Sequence, residues 1–326
     1  MLEHGGRVRQ AAQRYGIPVE AWLDLSTGLN PLGWPVPALA ADAWARLPEA
    51  EDGLEAAARA YYGVERLLPV AGSQAAIQVL PRLRPPCRVG LLANSYAEHR
   101  QAWSRAGHRI QSLADEVEIE AALPQLDVLV LVRPNNPTGA LYPLQRLLAW
   151  HARLSARDGW LVVDEAFMDA TPELSLLPHL RPGLIVLRSL GKFFGLAGAR
   201  VGFVCAQAEL LERLADQLGP WSISGPSRRV AAGALGDRLW QREARLQLRQ
   251  AGKRLHGLLC RRGLRPDGGC ALFQWLETPR AEALQDALAQ RGILVRRFIR
   301  PASLRFGLPG AEEEWRRLET ALEACL

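Results

Sequence analysis

Lysine is almost missing from this 326-residue chain: of its 40 basic residues only Lys192 and Lys253 are lysines, and the remainder are arginines. Lysine is therefore excluded as the general surface cation. Lys192 stands out for its chemistry, because an amine can form an imine with a carbonyl and a guanidinium cannot. Lys253, in a polar helical run beside Arg249 and Arg254, reads as solvated surface. Cysteine is also scarce. Cys87, Cys205, Cys260, Cys270 and Cys325 are odd in number, widely spaced and without a C-x-x-C pair, which argues against a zinc site, a dithiol redox centre or a disulfide framework. No metal is expected, and free thiols point to a reducing compartment. Long hydrophobic runs are absent: Val128–Val132 is strand-sized, well below the roughly 18 residues that read as a membrane span. Residues 1–16 carry His4, Arg7, Arg9 and Arg14 in place of the apolar stretch of a secretory leader. A cytoplasmic protein with no membrane attachment is expected.

The formal charge is +6 and the isoelectric point about 9.4, but the arginines are interleaved with acids. Glu243 falls within 238–262, and Arg316 and Arg317 lie among the glutamates of 312–319. With no basic tail or RNA-binding signature, nucleic acid is not the expected partner. An anionic small molecule suits the excess better.

At roughly 100–200 residues per domain, the length predicts about two domains. A polar start and a Pro-rich stretch (Pro31, Pro35, Pro37) predict an extended arm over residues 1–40. From residue 41 to 222 helical patterns (54–62, after Gly72, 97–106, 144–156) alternate with apolar strands (89–93, 128–132, 161–163, 185–187, 201–205). That alternation predicts an α/β fold whose mostly parallel sheet is covered on both faces. After Gly219-Pro220 and Gly225-Pro226, residues 223–326 read as a smaller α/β unit: a long helical run to 262, strands over 271–276, 293–296 and 304–307, and helices over 281–290 and 312–324.

In an open α/β sheet the ligand lies beyond the carboxyl ends of the strands. Gly72-Ser73-Gln74 opens a helix there and offers either a plain cap or an anion cradle of backbone N–H groups. Arg133-Pro134-Asn135-Asn136-Pro137-Thr138-Gly139 follows a strand, its prolines fixing the turn that presents Asn136. Asp164 ends the strand Leu161-Val162-Val163, where a buried carboxylate needs a cationic partner or caps a neighbour. Lys192 sits in Ser-Leu-Gly-Lys-Phe-Phe-Gly-Leu-Ala-Gly-Ala-Arg, between the hydroxyl of Ser189 and the guanidinium of Arg200.

The three motifs in this order resemble those of the fold-type I pyridoxal-phosphate enzymes of the aspartate aminotransferase superfamily, over nearly the whole chain. The resemblance implies pyridoxal 5′-phosphate as cofactor, Lys192 as the lysine that holds it covalently, and Asp164 as partner of the pyridine nitrogen. It further implies Asn136 on the ring oxygen, Tyr96 stacked on the ring, and Ser73, Gln74, Ser189 and Arg200 around the cofactor phosphate. The ring would accept the electron pair freed at the substrate's Cα.

Within the superfamily, His4-Gly5-Gly6 and the segment from Asp24 to Gly33 look like those of the threonine-phosphate decarboxylases, carboxy-lyases of cobalamin biosynthesis. Members of that family convert L-threonine O-3-phosphate to (R)-1-amino-2-propanol O-2-phosphate and carbon dioxide. Histidinol-phosphate aminotransferases share most of these motifs and supply the alternative reading. By the resemblance, Arg296 and Arg305 clamp the two substrate anions, Asn136 and Gly28 face the substrate, His4 and Gly5 close over it, and the enzyme is a homodimer. Arg297 and Arg300 read as surface. The sequence departs from the pattern at Gly28, where the family commonly has Asn, and at Leu47, which replaces a Tyr that reaches the cofactor phosphate across the subunit interface. Phe167 lacks the hydroxyl many aminotransferases carry there, and the link between Arg296 and Arg305 is short.

Overall fold

The computed structural model of the chain describes residues 4–325. Seven strands form the larger sheet, in the spatial order Leu68–Val70, Gly202–Cys205, Leu184–Ser189, Trp160–Asp164, Val128–Val132, Arg88–Leu92 and Arg109–Leu113. All neighbours are parallel except Gly202–Cys205, which runs antiparallel to both strands it pairs with. Val128–Val132 is apolar and buried at every position, as are residues 161–163 and 184–187 in the strands beside it, because both faces are covered. Val128, Val130, Val162 and Ile185 pack with Ile77, Leu80 and Leu214, whereas Leu129, Leu131, Val163 and Val186 pack with Leu147, Trp150 and Leu154. Each such side chain contributes roughly 1.5–3 kcal/mol by leaving water, so the centre of the sheet is a rigid base for the residues at its ends.

Register then sets the site. Asp164 is paired with Val132 on one side and Leu187 on the other, so the segments leaving three adjacent strands, at Arg133, Glu165 and Ser189, emerge together.

The second sheet has five strands, in the order Leu23–Leu25, Ile293–Phe298, Ser303–Gly307, Phe273–Glu277 and Gly268–Cys270. Its outer member comes from the N-terminal segment: Leu23–Leu25 pairs in parallel with Ile293–Val295. The helix Arg238–Arg261, capped by Asp237 accepting from the Trp240 N–H, runs past this sheet.

Several elements differ from the sequence expectation. The polar start contains a helix, Val8–Tyr15, stopped by Gly16 in the left-handed region; only Ala11 of it is buried, so it has almost no apolar face to read. Arg109–Leu113 is an edge strand with one buried residue, which breaks the apolar-run rule for strands. The long helical run is two helices, Gly225–Gly236 and Arg238–Arg261, parted at Asp237.

Candidate active site

A cavity of about 580 Å³ opens where the ends of the larger sheet face the smaller one. Tyr96, Asn136, Phe167 and Lys192 line it from the large sheet's side, and Arg296 and Arg305 from the small one. His4, Gly5, Thr27 and Gly28 add a wall from the N-terminal segment, and Arg297, which the sequence suggested was surface, also lines the cavity, beside Phe298 and Ile299.

Lys192 lies on the turn after Leu184–Ser189. The N-terminal segment grips that turn: the backbone N–H of Asn30 donates to the Lys192 carbonyl (2.9 Å), and Asn30 Nδ2 to that of Phe193 (2.9 Å). Burial drives the Lys192 ammonium down to about 8, the nearby cations Arg305 and Arg200 push the same way, and Asp164 pulls against them. Its Nζ stands 5.5 Å from the centre of the Phe167 ring. A desolvated amine of this kind is uncharged near neutral pH far more often than an ordinary lysine, which suits a nucleophile.

Asp164 is buried, and its two oxygens are both engaged: Oδ2 is 3.0 Å from His99 Nε2, and Oδ1 accepts from the Ala166 N–H (3.1 Å). His99 lies three residues after Tyr96, on the helix Ala97–Arg105, and was not picked out from the sequence. The i, i+3 spacing that brings Tyr96 and His99 to one side of the site is visible in Tyr-Ala-Glu-His, but nothing linear links it to a carboxylate 65 positions on. Tyr96 is pushed up to about 12 by burial and by the charges of Glu98 and Asp164, so its hydroxyl stays protonated. It donates to Gln74 Oε1 at 3.3 Å.

Asn136 is held by a braced turn. Asn135 Nδ2 donates to the Asn94 carbonyl and to Thr138 Oγ1, both at 2.8 Å, and Ser95 donates to Asn135 Oδ1 (2.8 Å). Asn136 Oδ1 in turn accepts from Arg305 Nη1 (2.6 Å), and Arg305 Nη2 donates to the Ser26 carbonyl (2.8 Å). Arg305 is paired in register with Arg296 on the next strand. Burial, with Arg296 as the next cause, lowers the Arg305 guanidinium to about 10. Cations brought this close call for an anion between them.

Ser73, Gln74, Ser189 and Arg200 gather at the Lys192 end. A Cβ added to Gly72, which has φ +71°, would lie 2.5 Å from Arg200 Nη2, and one on Gly202 would lie 2.5 Å from the Ser73 nitrogen. The guanidinium therefore rests on the turn that opens the helix Ser73–Val79, and the Ser189 hydroxyl accepts from the Gly191 N–H at 3.3 Å. Backbone N–H groups at a helix start beside an arginine form an anion cradle, which fits the phosphate of pyridoxal phosphate, as Lys192 fits its aldehyde.

Two of the sequence departures acquire a physical setting. A Cβ on Gly28 would stand 2.9 Å from Phe167 Cε1 and 3.1 Å from Phe273 Cδ1, two rings packed edge to face at 5.2 Å, so the aromatic pair fills the space an Asn would need. Leu47 is 65% exposed and borders a separate depression with Arg46, Gly225 and Arg229, away from the cavity of its own chain.

With fold and site in place, the chain belongs to the class I and II aminotransferases, whose family model matches residues 18–323. A solved histidinol-phosphate aminotransferase from Sinorhizobium meliloti, in complex with pyridoxal-5′-phosphate, superposes with a TM-score of 0.85 over 99% of this chain and 95% of its own, at 21% identity, a likeness of fold. Within the class its kin are the threonine-phosphate decarboxylases. The chain is 59% identical over 323 residues to that protein of Pseudomonas aeruginosa (99% of this chain, 97% of the relative) and 42% identical over 329 residues to that of a Sinorhizobium species (98% and 97%).

Proposed function

We propose that this chain decarboxylates L-threonine O-3-phosphate to (R)-1-amino-2-propanol O-2-phosphate in cobalamin biosynthesis, with pyridoxal 5′-phosphate as its cofactor. The observation that carries the reading is the amine of Lys192, which lines the cavity and is lowered to about 8 among Arg305, Arg200 and Asp164. The names of the two relatives support the reaction.

Lys192 would hold the cofactor covalently. Asp164, oriented by His99, would keep the pyridine nitrogen protonated; Asn136 and Tyr96 would fix the ring, and Ser73, Gln74, Ser189 and Arg200 its phosphate. Once bound, the cofactor supplies an electron sink for the bond broken at the substrate's Cα. The work of this chain is to choose that bond and place the proton. Arg305 and Arg296 take the carboxylate and phosphate of the substrate, and two fixed cations orient a dianionic molecule far better than one. Asn136, accepting from Arg305, couples the cofactor side to this clamp. Gly28, lacking a Cβ, lets Phe167 and Phe273 pack against the N-terminal segment, and His4 and Gly5 cover the cavity from the arm. Lys192 Nζ then delivers the proton to Cα, which gives the amine product.

We further read residues 1–40 as an arm, 41–222 as a large cofactor domain and 223–326 as a small domain, on the support of two separate sheets. A homodimer is supported by the large exposed side chains Trp44, Leu47 and Trp221. A cytoplasmic setting is supported by the five unpaired thiols. No helix among the described residues is long and apolar enough to cross a membrane.

The decisive assay supplies threonine phosphate and follows carbon dioxide, then supplies histidinol phosphate with 2-oxoglutarate and follows glutamate. Carbon dioxide is the expected product. Glutamate alone would transfer the chain to the aminotransferase reading.

A further inference from the structure

Glu98, the second residue of the helix Ala97–Arg105, is only 8% exposed, and its carboxylate is met by donors from two other segments. Oε1 lies 2.7 Å from His4 Nε2, while Oε2 accepts from Nε2 of Gln74 (2.8 Å) and of Gln78 (3.1 Å). The two glutamines are one turn apart on the helix Ser73–Val79. Gln74 also accepts from Tyr96. One buried carboxylate thus joins the N-terminal arm, the helix whose start forms the anion cradle, and the aromatic of the cofactor side. A carboxylate out of water is retained only when its oxygens are satisfied, and charge-assisted bonds are the strong ones.

The arm has another fixed point nearby. The Gly6 N–H donates to Ser26 Oγ at 2.7 Å, and a Cβ on Gly5 would come within 2.3 Å of the Ser26 carbonyl, the oxygen that Arg305 also holds. Beyond that anchor the chain must still be turned so that His4 covers the cavity. The bond to Glu98 supplies that constraint. Because an ionised carboxylate only accepts, His4 presents Nε2–H to it and keeps Nδ1 as its second polar atom.

We propose that Glu98 is a positioning residue: through His4 it pins the arm across the cavity, and through Gln74 it ties the closed arm to the phosphate end of the cofactor site. The inference rests on the cavity being the substrate site argued above. The chain of contacts from His4 through Glu98 to Gln74 is thus the latch of the arm.

The test uses holoenzyme of the wild type, Glu98→Gln, His4→Ala and the double variant. Without substrate, proteinase K cleavage between residues 4 and 5, normalised to the rate of the matching free peptide, is followed by mass spectrometry; loss of a charge-assisted bond predicts cleavage faster by about ten-fold in each single variant and no faster in the double. With threonine phosphate, KM rises by about ten-fold in each single variant, the fall in kcat/KM is carried by KM, and the double variant again matches the singles. Wild-type cleavage rates in Glu98→Gln, or effects that multiply in the double variant, would overturn the proposal. His4 is at the surface, so the His4→Ala protein tests the pin even where Glu98→Gln folds poorly. If the wild type does not turn over threonine phosphate, the reaction assignment falls, and the cleavage comparison still decides the latch.

Discussion

Arg188, fully buried near the end of the strand Leu184–Ser189, and Lys192, partly buried on the turn after it, lie four residues apart, and their ionisation is pushed in opposite directions. Around Arg188, burial works against the charge, yet Asp169 and Glu165 outweigh it and the guanidinium is held more firmly protonated than usual. Glu165 accepts from Arg188 Nη1 at 2.8 Å, also accepts from Ser175 and the Leu176 N–H (2.8 Å), and Asp169 accepts from Nη2. Around Lys192 the same burial is joined by Arg305 and Arg200, and Asp164, already engaged by His99, does not compensate. The first cluster is electrically complete and reads as framework. The second has more cations than anions, and a molecule bearing a phosphate and a carboxylate, bound beside a phosphorylated cofactor, would balance it.

Changing the lysine should produce the largest effect. Lys192→Ala removes covalent attachment and proton delivery together, so carbon dioxide release from threonine phosphate should fall by at least about a thousand-fold, and borohydride should no longer fix the cofactor to the chain. An active variant would erase the contrast. The matching change in the balanced cluster, Arg188→Met, removes the cation that Glu165 and Asp169 share and should cost about 3–5 kcal/mol in urea unfolding, the loss typical of breaking a buried ion pair. A near-neutral result would show that the cluster was never framework. Gly28→Asn, which forces atoms against Phe167 and Phe273, should cost roughly 1–3 kcal/mol of stability measured the same way. If it is tolerated, the aromatic pair yields more readily than its packing implies.

The finest test is pH. For cofactor-free protein, Lys192 has a folded value of about 8 against an ordinary value of 10.5. Between those limits the unfolded chain binds more protons, so the stability of the wild type relative to Lys192→Met should rise from about pH 8 to 10.5 and be flat below. A difference that stays flat, or falls, with rising pH would mean that the amine is not desolvated.

That Asn136, Asp164 and Lys192 meet at one end of the sheet was legible because each sits in a short linear motif at the end of an apolar strand that declares itself by composition. His99 and Glu98 were not legible. Their helix is easy to predict, but their partners lie 65, 94 and 24 positions away in sequence and are brought near only by the stacking of sheet and arm. The edge strand Arg109–Leu113 escaped for a related reason: half in water, it needs no apolar run. Likewise Leu23–Leu25 is too short to read alone, and becomes a strand only because Ile293–Val295 offers it a partner.

That last pairing has a practical side. Leu23–Leu25 is the outermost ribbon of the five-stranded sheet and shields the backbone of Ile293–Val295. A truncation ending before Ser26 would do more than uncover a pocket: it would bare a row of unpaired amides and carbonyls along a stretch of Ile, Leu and Val, a template on which a second molecule could polymerise.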